Sequence, residues 1–139
     1  MNYTVINNYI TTKLGDIDVK IFLMKVKDLL PIYYVAVRGR DNIPGAVQRV
    51  LSKRRISSIK SFILDGNMFF NTFILNWVEK NYPIVVDGDV LRIPQVSAGA
   101  QVIDGQHRLE GLKQAYEEKP EIGEQEIIVL LAQNLTTPE

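Results

Sequence analysis

The stretch from Val102 to Leu112, reading Val-Ile-Asp-Gly-Gln-His-Arg-Leu-Glu-Gly-Leu, constrains the fold of this chain more than any other. Gln101-Val102-Ile103 has the composition of a short strand, Asp104-Gly105 breaks it, and a helical pattern follows. Leu109, Leu112 and Tyr116 fall at spacings of three and four, while Arg108, Glu110, Lys113 and Glu117 lie largely off that face. Asp104 suits the helix entry as a carboxylate that caps free backbone N–H groups, and Gly105 permits a tight approach. Gln106, His107 and Arg108 then stand in the first turn, where unpaired N–H groups and the helix dipole favour an anion. Three polar side chains there, one of them always cationic, are the parts of a phosphate site. Asp-Gly is also a common turn, and the pair Asp87-Gly88 in Ile84 to Ile93 reads as an ordinary hairpin. The pair at Asp104-Gly105 differs because a helix, not a second strand, follows it.

The rest of the chain supplies a sheet for that unit. Tyr3 to Ile10 and Ile17 to Val26 read as strands, the second alternating cleanly, with Leu14-Gly15-Asp16 as the turn between them. Lys27 to Pro31 is a break, and Ile32 to Val37, apolar on both faces, suits a central strand. Arg38 to Pro44 reads as a polar loop, Ala46 to Ser52 as helical, and Arg54 to Leu64 as a second helix burying Ile56, Ile59 and Ile63. A strand is expected over Phe70 to Leu75, an acidic loop over Glu118 to Gly123, and a last apolar strand over Glu126 to Ala132. Strands alternating with helices in the second half indicate an α/β or α+β fold, a mixed sheet with flanking helices. The 139 residues are one domain's worth, with no internal repeat and no linker. The tail Thr136-Thr137-Pro138-Glu139 looks like a helix start, which suggests the N-terminal part of a longer protein or a shortened member.

Composition excludes several chemistries. There is no cysteine, hence no disulfide, thiolate metal site or cysteine nucleophile. No apolar run approaches the roughly 20 residues that span a membrane, and the first residues lack a secretory pattern, so a cytoplasmic setting is expected. Sixteen basic residues balance sixteen acidic ones, which removes any global attraction to nucleic acid. Locally the balance fails. Arg38, Arg40, Arg49, Lys53, Arg54, Arg55 and Lys60 face the single acid Asp41, while Glu117, Glu118, Glu121, Glu124 and Glu126 gather near the C-terminus. Such asymmetry marks either a basic face for nucleic acid or a solvated helix face balanced by the acidic patch. Arg108 likewise has two readings, a fork for phosphate oxygens or a surface arginine paired with Asp104. Asp104, His107 and Glu110 recur at threes, but on barely two turns they point partly apart and make a poor metal site.

Asp104-Gly105-Gln106-His107-Arg108, followed by Leu109, resembles the signature of the DGQHR-domain family. That family includes the DndB-type proteins associated with DNA phosphorothioate modification and is similar to the wider ParB/sulfiredoxin superfamily. The resemblance extends to Tyr33 to Val37, Arg55 to Ile63 and Phe69 to Leu75. It implies a ParB/sulfiredoxin-like fold in which the segment Arg55 to Ile63 lies beside the signature and the two bind a nucleoside triphosphate. Arg54 or Arg55, Asn71 and Gln106 to Arg108 would then share one pocket, taking ATP or CTP with Mg2+ and Asp104 holding the ion only through the bound nucleotide. Two departures matter. Sulfiredoxins use a cysteine where this chain has Gln106, so sulfinic acid reduction is excluded. ParB clamps are richer in arginine, which puts CTP in doubt, and no helix-turn-helix is present.

The resulting expectations fall into different classes. One is a nucleotide-binding module, a slow ATPase at most, inside a DNA-modification or phage-defence protein. Another is a DNA-contacting regulatory domain, partnered by DNA and by other modification proteins or a second copy through open sheet edges. A ParB-like nuclease is the remaining alternative, and it lacks an acidic pair at convincing spacing.

Overall fold

A computed structural model describes residues 2–35 and 51–133. In order these form β1 (Tyr3–Ile6), β2 (Tyr9–Leu14), β3 (Ile17–Lys25), α1 (Val26–Leu29), β4 (Tyr33–Tyr34), α2 (Lys53–Leu64), β5 (Phe73–Trp77), β6 (Val85–Asp87), β7 (Val90–Pro94), β8 (Ala100–Asp104), α3 (Gln106–Glu118), a 3-10 turn (Pro120–Glu124) and β9 (Glu126–Gln133). Six strands make one mixed sheet in the order β2-β3-β9-β5-β8-β4, and β1, β7 and β6 make a small antiparallel one. Within the larger sheet β5 runs parallel to β9 and β4 parallel to β8. The expected mixed sheet with flanking helices is the architecture found.

Period-two alternation sorts each strand's side chains. Phe22 and Met24 of β3, Ile127, Val129 and Leu131 of β9, and Phe73 and Leu75 of β5 point into one core with Leu109, Leu112 and Ile63 of the helices. The neighbouring residues of β3 and β9, Ile21, Leu23, Ile128 and Leu130, take the opposite face and stay partly or fully exposed. Both tight hairpins place glycine first in a two-residue loop, Gly15 before Asp16 and Gly88 before Asp89, each at φ +64. That is the conformation a hairpin twisting right-handedly demands and a β-carbon disfavours.

The structure corrects several expectations. Tyr3 to Ile10 is not one strand: it divides at Asn7-Asn8, and the halves join different sheets. Lys27 to Pro31 is not a plain break, because Val26–Leu29 forms a helical turn with Val26 and Leu29 fully buried. Ile32 to Val35 is not a central strand; only Tyr33–Tyr34 pairs, at the sheet's edge among the described residues. The strand expected over Phe70 to Leu75 runs instead from Phe73 to Trp77. The acidic loop is the end of α3 followed by the 3-10 turn. The expected polar loop from Arg38 to Pro44, most of the helix over Ala46 to Ser52, and the tail from Asn134 lie outside the described residues.

The helices α2 and α3 run side by side in the same direction. Ser52 meets His107 at one end, Ile59 meets Gly111 midway, and Lys60 is ion-paired to Glu118 towards the other. A β-carbon on Gly111 would lie 2.8 Å from Ile59 Cβ and 3.3 Å from the Ile56 carbonyl oxygen. Gly111→Ala should therefore destabilise the fold by about 1–3 kcal/mol of overpacking despite alanine's better helix propensity. Thermal melts should show a lower Tm for Gly111→Ala, partly restored by adding Ile59→Ala. Independent, additive effects of the two substitutions would refute the close approach of these helices.

Candidate functional site

The turn from β8 into α3 is built on Gly105. It is the N-cap of α3 at φ +110, and a β-carbon there would lie 2.7 Å from the Phe73 ring. Asp104 does not cap the helix as expected: no side-chain cap occurs there among the described residues. Its carboxylate, 58% exposed, instead lies 3.8 Å from Arg108 Nη2, one turn along. The first intrahelical bond runs from the Leu109 N–H to the Gly105 carbonyl. The N–H groups of the preceding turn are the ones a helix leaves for caps, water or ligands.

The signature side chains divide by direction. Gln106 is 3% exposed, and its amide donates to the Ile103 carbonyl at 3.0 Å. His107 is 9% exposed, and its Nε2 accepts from the Ser52 N–H at 2.9 Å. That nitrogen must be unprotonated to accept, which makes the ring neutral in this arrangement. Gln106 and His107 thus serve the backbone of β8 and of the α2 entry, while Asp104 faces the surface and Arg108 lies half-buried beside it.

Arg108 is held on three sides. Nη1 and Nη2 each donate at 3.2 Å, to the carbonyls of Asn71 and Thr72, and the guanidinium carbon lies 4.2 Å above the Phe73 ring and 5.7 Å from that of Phe69. Its side chain is 16% exposed. Burial pulls the guanidinium below its usual pKa, and nearby Asp104 opposes the shift. An arginine stays charged through such a shift. Those carbonyl bonds use two of the five N–H groups of a guanidinium.

The remaining expected site residues are partly gathered here. Asn71 lies at the site through its backbone carbonyl, with its side chain exposed. Arg55 stands in the first turn of α2, its N–H donating to the Ser52 hydroxyl that caps the helix. Lys53 and Arg54 share that turn and are exposed, whereas Lys60 pairs with Glu118. Arg38, Arg40 and Arg49 lie outside the described residues. Both helices lack an acidic residue in the first turn, and the Ser52–His107 bond sets their N-termini side by side. No cluster of three metal-ligating side chains occurs among the described residues. Glu110 accepts a hydrogen bond from Tyr33, whose phenol is raised well above its usual pKa by burial first and by that bond second. Asp104, His107 and Glu110 therefore do not converge.

Three contributors escaped the reading of the sequence. Ser52 looked like a helix end but caps the start of α2, a role its residue type favours. Tyr33 ties β4 to the signature helix through Glu110. Phe70, expected in a strand, is 91% exposed beside Asn71. No helix among the described residues is long and apolar enough to cross a membrane.

Arg108→Ala would remove the two carbonyl bonds and the ring stacking together, at a cost of about 1–3 kcal/mol. Amide exchange should speed up most at residues 69–73, ahead of the strands. Uniform acceleration, or none, would show that Arg108 does not hold this loop.

Among known families, a model described as DndB, DNA-sulfur modification-associated, matches residues 15–137. No curated protein and no solved structure matches the chain.

Proposed function

The chain belongs to the DndB family of DNA-sulfur modification-associated proteins, and from that premise we propose that it is a regulatory domain that binds nucleotide phosphate at the start of α3 and meets DNA through its basic face. Its setting is a cytoplasmic DNA-modification system of the phosphorothioation type or a phage-defence system. The observation that carries this reading is electrostatic. Two helix N-termini adjoin, neither has an acidic residue in its first turn, and Lys53, Arg54, Arg55 and Arg108 stand there instead. Cations oppose the positive end of a helix dipole, and a phosphate relieves that opposition at both helices.

Arg108 supplies the donors left over from Asn71 and Thr72, fixed in orientation by the same bonds. The uncapped turn of α3 supplies backbone N–H groups. Asp104 is the exposed carboxylate a magnesium ion needs beside phosphate oxygens, so ATP or CTP with Mg2+ fits the residues present. Gln106 and His107 contribute by holding the turn in shape. The turnover this reading allows is that of a slow ATPase; a ParB-like nuclease finds no metal cluster among the described residues to support it.

A thermal-shift panel of ATP, CTP, GTP and UTP, with and without magnesium, tests the phosphate site. A ligand at about 100 times its Kd stabilises by nearly 3 kcal/mol, a Tm rise of several degrees in a domain this size. One nucleotide should raise the Tm, the rise should shrink in Arg108→Lys, and its magnesium dependence should vanish in Asp104→Asn. No shift with any nucleotide removes the reading.

Binding to DNA is the second arm, favoured by exposed Lys53, Arg54 and Arg55, which have no ion pair among the described residues. Replacing all three with alanine should flatten the salt dependence of affinity by about 0.9 in slope for each phosphate that these side chains neutralise. An unchanged slope would exclude this turn from the DNA interface.

A further inference from the structure

On the side of the sheet away from α2 and α3, an apolar surface ends at an open strand. Among the described residues β2 is the outermost strand of the larger sheet, six residues long and paired on one side only, with β3. Edge strands that avoid company are short, bulged, broken by proline or heavily charged. Of these devices only one lysine is present: Tyr9-Ile10-Thr11-Thr12-Lys13-Leu14 contains no proline, its register with β3 is unbroken, and Lys13 is its single charge. Ile10 is 63% exposed and Leu14 52%, and both share the outer face with Leu23, 51% exposed, and with Ile21, Ile128 and Leu130. That face also floors an open groove of about 1120 Å³ walled by Thr4 to Asn8.

We propose that β2 is where two copies of this chain pair, antiparallel, about a two-fold axis at Thr12. The register follows from hydrogen-bond alternation. The two-residue loop Gly15-Asp16 closes on the pair Leu14 and Ile17, and bonded and non-bonded pairs then alternate along the ladder. Ile10, Thr12 and Leu14 spend their backbone groups on β3, which leaves those of Tyr9, Thr11 and Lys13 directed at the open edge. An axis at Thr12 fits this pattern at Thr11 and Lys13, with Tyr9 falling opposite the partner's turn. Thr11 exchanges hydrogen bonds with the partner's Lys13, while Thr12 faces the partner's Thr12 as a non-bonded pair.

The side chains favour that register over its neighbours. Ile10 falls opposite the partner's Leu14, so the two outer faces join into one apolar surface. Lys13 falls opposite the partner's Thr11 and keeps its own cross-strand neighbour Asp18. An axis at Lys13 would set two ammonium groups against each other, and an axis at Thr11 would set Ile10 against the partner's Thr12, both poorer. A single strand pairing buries an area at the low end of specific interfaces, so the dimer is concentration-dependent. The inference does not rest on the nucleotide or DNA reading.

The absence of native cysteine makes the test specific, because a single introduced thiol is the only one in the chain. Non-bonded cross-strand pairs bring β-carbons close enough for a disulfide. Under mild oxidation Thr12→Cys should give a covalent dimer on a non-reducing gel. Thr11→Cys and Lys13→Cys should stay at background, and a mixture of Ile10→Cys with Leu14→Cys, the other non-bonded pair of this register, should cross-link. Sedimentation equilibrium of the unmodified chain should show the mass rising towards double with concentration. Ile10→Lys with Leu14→Lys should abolish that rise while leaving the thermal transition in place, since both positions are exposed. A chain that stays monomeric at every concentration overturns the proposal. So does cross-linking that is equal at the three positions or strongest at Lys13→Cys, which would mean another register or random collision.

Discussion

Gly105 and Gly111 bring α3 against its surroundings at distances a side chain would forbid, and most of the site follows from that approach. The Phe73 ring occupies the space in which a β-carbon on Gly105 would sit, and the same ring carries the Arg108 guanidinium on its face. Arg108 then takes the carbonyls of Asn71 and Thr72, which sets the entry of β5, a strand hydrogen-bonded to β9 on one side and β8 on the other. Midway along α3, Gly111 admits Ile59 and brings α2 alongside, so that the Ser52 N–H reaches His107. The residues that form the corner are thus also the residues that pack it. Weaker ligand binding in a truncated variant there would mix the missing side chain with a loosened fold, and conservative replacements separate the two.

Much of this was legible wherever the local signal and the tertiary outcome coincide. The hairpins of β2 with β3 and β6 with β7 combine period-two alternation with glycine where the turn requires positive φ. The helices α2 and α3 show three-and-four spacing, and the strand-to-helix switch at Asp104-Gly105 is as expected. The failures occurred where a distant partner decided the outcome. Nothing local distinguishes Tyr3–Ile6 from Tyr9–Leu14, and only their partners, β7 and β3, assign them to different sheets. Phe70 looks like a strand residue because it is aromatic, yet Arg108 takes the carbonyls just after it and β5 begins at Phe73. Ile32 and Val35 are buried by the common core and not by strands on both sides. The inward turn of Gln106 was within reach of the sequence. It lies three residues before Leu109 and six before Leu112, on the same apolar stripe, and its polar side chain hid that placement.

The charge pattern makes sense once the ion pairs are in place. Glu124 binds both Lys25 and Lys27, Glu118 binds Lys60, and Glu121 lies near Lys119, so the acidic C-terminal region is answered by lysines beside it. Such exposed pairs contribute little to stability, a median of about 0–1 kcal/mol each. Their larger effect is on where charge remains. With those acids committed elsewhere, Lys53, Arg54 and Arg55 have no acidic neighbour in the first turn of α2, and among the described residues Arg108 has only Asp104, at 3.8 Å. A helix N-terminus favours an anion over a cation, so this corner carries a positive field that the first-turn residues do not discharge. A neutral chain with no use for anions would tend to offset that field by placing aspartate or glutamate at these starts. Concentrating it where two helices begin together is the imbalance on which the proposed phosphate site rests.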